Sequence, residues 1–258
     1  MATSFSAERE LAASAARAGG KLLLEWRGRF SVRRKGVNDV VTEADHAAQD
    51  AIQQLIERRF PNDDFLGEES DARPRRSQRR WIVDPLDGTT NYVHGFPFFC
   101  TSVAFEADGK FVAGAIYDPV RNKCFSAALG AGADCNGAPL NVSAIDDLDD
   151  ALICVGFPAD LRSNPEPVEA FVRFSERSYA VRRLGSAALG VAYVAAGKFD
   201  AFWSHRVSPW DVGAGAVIVR EAGGLVSHFD GRPYAAESLD LLATNGLLHA
   251  KTTSLIVG

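Results

Sequence analysis

Asp84 and Asp87 stand three residues apart at the end of a short apolar run, Trp81-Ile82-Val83, with Pro85 and Leu86 between them. Gly88-Thr89-Thr90 follows at once. The run predicts a buried strand, and carboxylates at such a place are costly unless something cationic meets them. A doubly charged metal ion is the simplest partner. The glycine and hydroxyl residues predict a helix start, whose free N–H groups attract phosphate. Acid pair, hydroxyl and anion cradle together point to metal-assisted phosphate chemistry.

Further acids stand where predicted elements end: Asp39 and Asp45 around Val40-Val41-Thr42, Glu68 and Glu69 after Phe65-Leu66-Gly67, and Asp211 after Trp210. Taken singly, Asp45, Asp87 and Asp211 are equally well explained as N-terminal acids favoured by a helix dipole. Asp84, between an apolar run and a proline, is not. Oxygen donors without histidine or cysteine favour Mg²⁺ or Mn²⁺ over zinc. A pair such as Asp84 and Asp87 can hold two ions about 3.5–4 Å apart, one polarising a water and the other neutralising the leaving oxygen. The Leu86 carbonyl is a further candidate ligand.

The elements that must position these groups follow from periodicity. Residues 6–27 predict an amphipathic helix carrying Leu11, Ala15, Ala18, Leu22 and Trp26 on one stripe, and residues 43–60 a second. Residues 71–80, with five arginines, read as a polar, solvated, mobile loop. Segments 98–106, 111–117 and 123–127 predict strands separated by Asp108-Gly109 and Asp118-Pro119. Strands at 151–155, 179–184 and 199–203 then alternate with helices at 166–177, 186–196 and 210–222; strands near 225–229 and 239–243 and a short terminal helix close the chain. A β-rich half of about 1–145 joined to an α/β half of about 146–258 predicts stacked layers forming one compact catalytic domain.

At 258 residues with 47% hydrophobic side chains, the chain can fill a full core. A net charge of −5 argues against a general nucleic-acid binder, while small anionic substrates stay possible if metal ions reverse the local sign. The four cysteines lack metal-site spacing and are expected to be reduced, half-buried thiols. Residues 1–28 are broken by charges, no apolar run reaches about 18 residues, and a cytoplasmic protein without a leader is the expectation. A P-loop and a GxSxG elbow are absent, and Asp84 and Asp87 stand too far apart for the DxD pattern of phosphatases that use an aspartyl nucleophile.

The acids carry a resemblance. Asp39-Val40-Val41-Thr42-Glu43-Ala44-Asp45 resembles the DLVTxxD segment of the inositol monophosphatase family, and Gly67-Glu68-Glu69-Ser70 its GEES turn. Residues 81–91 resemble its WIxDPxDGTTN signature and residues 210–215 its WDxxAG signature. The four motifs occur in order over nearly the full length. The resemblance implies the layered αβαβα sandwich shared with fructose-1,6-bisphosphatase, a lithium-sensitive Mg²⁺ phosphatase using two or three ions, and a homodimer. It also implies that Glu68, Asp84 and the Leu86 carbonyl hold a first ion, Asp84, Asp87 and Asp211 a second, and that Glu68 helps with a third. Thr89, coupled to Asp45, would position the attacking water, and the Gly88 and Thr89 N–H groups would hold phosphate.

Two stretches bear on substrate. Gly185-Ser186-Ala187 matches the family's turn that contacts the sugar ring, although a plain helix cap by Ser186 explains it as well. Ser204, seven residues before Asp211, stands where inositol-preferring members carry a glutamate, and His205 and Arg206 follow it. A serine offers a weak contact where a carboxylate would offer charge-assisted bonds, whereas Arg206 or His205 could meet a second phosphate or a carboxylate. Inositol 1-phosphate or a related sugar phosphate leads as substrate. Fructose 1,6-bisphosphate, histidinol phosphate and nucleotide phosphates stay open, and a non-catalytic metal-binding regulatory protein is the alternative of another class.

Overall fold

Apolar side chains recur on two faces of one long antiparallel meander, which therefore has to be covered from both sides. The computed structural model describes residues 5–36, 39–70, 74–157, 161, 165–235 and 238–257; the Asp39 side chain and Arg73 lie outside the described residues. The first half runs α1 (Ser6–Trp26), β1 (Val32–Gly36), β2 (Asp39–Thr42), α2 (Glu43–Arg59), β3 (Asp64–Gly67), β4 (Arg79–Asp87) and α3 (Thr89–Val93). The meander β5 (Cys100–Ala107), β6 (Lys110–Asp118), β7 (Lys123–Ala128), β8 (Ala133–Cys135) and β9 (Ala138–Pro139) follows. The second half runs β10 (Leu152–Gly156), α4 (Glu166–Arg177), β11 (Ala180–Arg182), α5 (Ala187–Ala195), β12 (Ala201–Ser204), α6 (Pro209–Glu221), β13 (Leu225–Ser227), β14 (Leu241–Thr244) and α7 (His249–Val257).

Among the described residues β3 to β9 form one sheet in chain order, parallel only between β3 and β4. A second sheet has the order β11-β10-β12-β14-β13, and β1 and β2 pair as a separate hairpin. Strand β4 shows how the layers are chosen. Trp81 and Val83 pack with Leu11, Ala15, Ile52 and Ile56 of α1 and α2. Ile82, pointing the other way, packs with Val191 of α5 and Ile218 of α6. The same α5 and α6 touch Phe202, Leu241 and Ala243 of the second sheet, whose outer face buries Val155, Trp203 and Leu242 against Phe174 of α4 and Ile256 of α7. The order helices, sheet, helices, sheet, helices is the expected αβαβα sandwich.

Some expectations are corrected. The described part of that stretch, residues 74–80, is not simply a solvated loop: β4 begins at Arg79, and three of the arginines are tied down. Arg75 and Arg80 reach the fully buried Glu106 at 2.8 and 2.5 Å, and Arg79 binds Glu8 and Asp63 at 3.0 and 2.7 Å. Burying Glu106 in the sheet demands a paired cation. Three of the four cysteines are fully buried rather than half-buried, and Cys135 is intermediate. In the Phe96–Phe99 run, Phe98 and Phe99 are core residues and Phe96 is exposed. Segment 141–150, where the two halves join, is tied down as a non-linker should be: Val142 donates to the Ala222 carbonyl at 3.1 Å and Ser143 to Asp200 at 2.5 Å. No helix among the described residues is long and apolar enough to cross a membrane.

Candidate active site

Residues 84 and 87 would face opposite sides of a regular strand, because side chains alternate with period two. They do not here, because β4 is bulged. Asp84 is paired with Ser102 of β5 and Asp87 with Cys100, so three steps on one strand answer two on the other. The extra residue returns Asp87 to the face of Asp84. Pro85, which has no N–H to pair, sits within the bulge, and its carbonyl accepts from Thr101 Oγ1 at 2.9 Å. Asp84 Oδ1 accepts from the Leu86 N–H at 2.9 Å, tightening the turn. Leu86 buries its side chain with Leu23, Ala48, Tyr92 and Phe99, and its carbonyl accepts from Thr89 Oγ1 at 3.0 Å.

Gly88 is dictated twice over. Its φ of +91° is one that side chains resist, and a Cβ would come within 3.0 Å of the Phe98 carbonyl oxygen and 3.3 Å of that of Gly185. Chain crossing at this point opens the short α3, with Thr89 as its first residue.

Three other elements deliver acids to the same place. The Glu68 N–H donates to the Val83 carbonyl at 3.0 Å, which sets Glu68 beside Asp84 at the end of β3. Its turn is held to α2 by Gln49, whose side-chain oxygen accepts from Glu69 N at 3.0 Å. A Cβ at 67 would lie 2.1 Å from that oxygen, so any other residue there would displace the Gln49 amide from the turn. Asp211 is the N3 residue of a capping box with Ser208, at the start of α6. Ser102, opposite Asp84, donates to the Trp210 carbonyl at 3.1 Å and pins that helix start to the sheet. Asp45 closes the capping box of Thr42 on α2, and its other oxygen lies 3.5 Å from Thr89 Oγ1, the outer limit of a hydrogen bond. The helix-start explanation thus holds for Asp45 and Asp211, without removing either from the cluster.

Asp87 departs from that explanation. It heads no helix of its own segment; it accepts from the N–H groups of Ala187 and Ala188 at 3.3 and 2.8 Å, and from the Ser186 hydroxyl. It therefore serves the N-terminus of α5, about a hundred residues away in sequence. Ser186 also caps α5 through the Leu189 N–H at 3.3 Å.

Electrostatics follow from this crowding. Burial first, then the charges of Glu68, Asp87 and Asp211, push the Asp84 carboxyl well above its usual range, and it shares a hydrogen bond with Glu68. Asp211 is pushed well up by burial and by Asp87 and Glu68. Asp87 rises by burial, partly offset by Ser186 and the α5 N–H groups. Asp45 rises by burial against its bonds to Thr42. No three acid, histidine or cysteine side chains among the described residues already converge as a ligand cage. What is assembled is a buried, mutually repelling set of oxygen donors from four elements. That set fits a hard divalent cation, the one partner that relieves burial and repulsion together.

A cleft of about 900 Å³ opens over Asp87 and Asp211. Its walls include Thr90 and Asn91 of α3, the 185–187 turn, Ser204 and the residues after it. Asn91 Nδ2 donates to the carbonyls of Phe98 and Leu184 at 2.7 and 2.8 Å, holding the second half of the chain against α3. Asn91, Ser102, Gln49 and Thr42 are the supporting residues that pattern reading missed. Asn91 and Thr42 carried a signal, as members of the 81–91 and 39–45 stretches. Ser204 is buried at the end of β12 and turns its hydroxyl to the His205 carbonyl at 3.3 Å. The site thus gathers Asp45, Glu68, Asp84, Leu86, Asp87, Thr89 and Asp211, with Gly88, Gly185, Ser186, Ala187 and Ser204 along its margin.

Comparison with known proteins places this arrangement. A model of the inositol monophosphatase family matches residues 7–257. A Pseudomonas aeruginosa protein named Nus factor SuhB is 39% identical over 91% of this chain and 90% of its own length. A Thermotoga maritima protein named fructose-1,6-bisphosphatase/inositol-1-monophosphatase is 36% identical over 92% of this chain and 91% of its own. The solved inositol monophosphatase of Anabaena superposes with a TM-score of 0.90 at 35% identity, covering 99% of this chain and 97% of that one.

Proposed function

Since the chain belongs to the inositol monophosphatase family, a family of phosphatases, we propose that it is a Mg²⁺-dependent phosphomonoesterase acting on a small phosphorylated polyol or sugar. The observation that carries this reading is the meeting of Glu68, Asp84, Asp87 and Asp211, drawn from three elements, beside the Thr89–Asp45 pair. Glu68, Asp84, Asp87, Asp211 and the Leu86 carbonyl would hold two or three divalent ions, with Mn²⁺ able to replace Mg²⁺. When bound, such ions supply a water of lowered pKa and neutralise charge on the phosphoryl group.

This chain's own residues then do three things. Thr89, whose hydroxyl bonds the Leu86 carbonyl within reach of Asp45, would orient the attacking water and pass a proton toward Asp45, and Glu68 would act on the same water. The N–H groups of Gly88 and Thr89 meet the phosphate oxygens. The 185–187 turn offers chiefly backbone to the rest of the substrate, because the Ser186 hydroxyl is already given to Asp87. No protein nucleophile is needed. Inositol 1-phosphate and related sugar phosphates lead, and bisphosphate, histidinol phosphate and nucleotide relatives remain candidates. Family membership also supports a homodimer, one catalytic domain formed by both halves, a cytoplasmic setting and inhibition by lithium.

A second reading is a binding protein without catalysis, favoured by the relative named as a Nus factor. Presence of the entire acid set together with Thr89 favours the enzyme. Purified protein should release phosphate from a generic ester in Mg²⁺, stop on adding chelator and resume when Mg²⁺ is restored. Absence of turnover on any ester, or full activity in Asp84→Asn, overturns the enzymatic reading.

A further inference from the structure

The cleft walls carry charge of one sign once the metal-facing acids are set aside. Of the residues lining it, the formally charged ones are Asp87 and Asp211 on the floor and Arg34, Arg183 and Arg206 on the walls. Among the described residues lining the cleft no other carboxylate is present to accept hydrogen bonds from the hydroxyls of a neutral ring. Ser204, on the wall, has its hydroxyl already turned to the His205 carbonyl. Each Asp87 oxygen already accepts from the start of α5.

Arg183 is held at its side chain and Arg206 at its backbone. The Arg183 guanidinium lies over the Phe157 ring, 4.9 Å from its centre, and both residues line the cleft. Stacking of this kind fixes the plane of the guanidinium and leaves its N–H edge free for an anion. Arg206 occupies the left-handed region, with φ of +53°, where a non-glycine residue is uncommon. Asp240 secures the turn: it accepts from the Arg206 N–H at 3.3 Å and lies 3.6 Å from His205 Nδ1. A planar fork of donors matches a phosphate far better than it matches a hydroxyl.

We propose that Arg183 and Arg206, with Arg34 at the mouth, form a second anion subsite, so that the substrate is a sugar or polyol carrying two phosphates. One phosphate lies at the acid cluster and is cleaved; the other is held by the arginines and stays attached. This inference rests on the phosphatase reading above and narrows its substrate. A cleft of about 900 Å³ accommodates both ends, lying at the upper part of the roughly 300–1,000 Å³ found for small-molecule sites.

The test compares kcat/KM for fructose 1,6-bisphosphate, inositol 1-phosphate and 3-phosphoglycerate in Mg²⁺. Wild type, Arg183→Gln, Arg206→Gly and the double variant are used. Arg206→Gly removes the guanidinium while easing the left-handed backbone, so a loss of folding does not confound the result. Wild type should favour the bisphosphate at least about tenfold over the monophosphate. The double variant should lower that ratio by about ten- to a hundredfold, chiefly through KM, as expected for removing charge-assisted bonds. If inositol 1-phosphate is hydrolysed and the ratio does not move, the second subsite is overturned while the phosphatase reading stands. If 3-phosphoglycerate takes the place of the bisphosphate, the subsite holds a carboxylate and the two-phosphate assignment falls. If no ester is hydrolysed, the phosphatase reading itself fails and carries this one with it.

Discussion

Replacing Asp84 by Asn should make the metal-free protein more stable while destroying the activity proposed for it. Asp84 is fully enclosed and faces the charges of Glu68, Asp87 and Asp211. Two like charges about 6 Å apart at an effective dielectric constant near 20 repel by about 2.8 kcal/mol, and the protein relieves part of this by holding a proton. The Asn amide keeps the acceptor for the Leu86 N–H, 2.9 Å from the present carboxylate, and can donate to Glu68 without any proton uptake. A net gain of about 1–3 kcal/mol follows, or roughly 3–10 °C in Tm for a chain of this size. The sign with pH is fixed by the raised carboxyl. Because folded Asp84 holds its proton more tightly than the unfolded chain does, wild type loses stability as pH rises above the unperturbed value of about 3.9 toward the raised one. The variant lacks the part of that loss due to residue 84. Added Mg²⁺ should reverse the order, since an ion held at a hundred times its Kd adds about 2.7 kcal/mol to wild type alone. Thermal melts in EDTA and in Mg²⁺ at several pH values, beside phosphate release, decide it. A variant that melts below wild type in EDTA would refute the claim that these carboxylates confront one another.

Asn91→Ala removes both donors that join α3 to the Phe98 and Leu184 carbonyls; leaving those oxygens unpaired should cost about 1–3 kcal/mol each, seen as a lower midpoint in urea and a raised KM. Gly88→Ala meets a φ of +91° and the Phe98 carbonyl oxygen at 3.0 Å, so a loss of about 1–3 kcal/mol with a larger fall in kcat is expected. His249 is kept neutral by burial, between Thr244 and Ser227 at 2.9 Å each. Its folded pKa lies below the unfolded value of about 6.5, so stability should drop as pH falls below that value, where the unfolded chain binds a proton and the folded chain does not. His249→Gln should lessen the slope by up to about 1.4 kcal/mol per pH unit, measured by urea melts between pH 5 and 7.

Much of the site was legible because its chemistry is written in contiguous stretches. Asp84, Asp87, Gly88 and Thr89 adjoin in the chain, and helix 166–177 has both its ends where periodicity put them. What stayed hidden depends on partners distant in sequence. That Asp84 and Asp87 act as a pair was readable; the bulge that sets them on one face shows only in the pairing with Ser102 and Cys100. The service of Asp87 to α5 spans a hundred residues. The arginines near 75–80 looked solvated because Glu106, their partner, sits on β5, 26 residues beyond Arg80. The polar hairpin β1–β2 carries no apolar alternation, so nothing local announced it. The mutual approach of the halves, which sets Arg183 and Ser204 on one cleft with Asp87, is a property of packing alone.

Asp45 and Asp211 each close a helix start with the same side chain that faces the cluster. Architecture and hydrolysis therefore make overlapping demands on these two positions, and a descendant that gave up turnover would still be under pressure to keep an acceptor at both. Glu68 and Asp84 are different: an amide at 84 would satisfy the local turn, and no helix start depends on either residue. Drift should accordingly surface first at 68 and 84. Among diverged copies of this chain, those two positions, rather than 45 or 211, would separate working hydrolases from scaffolds that retain only the shape.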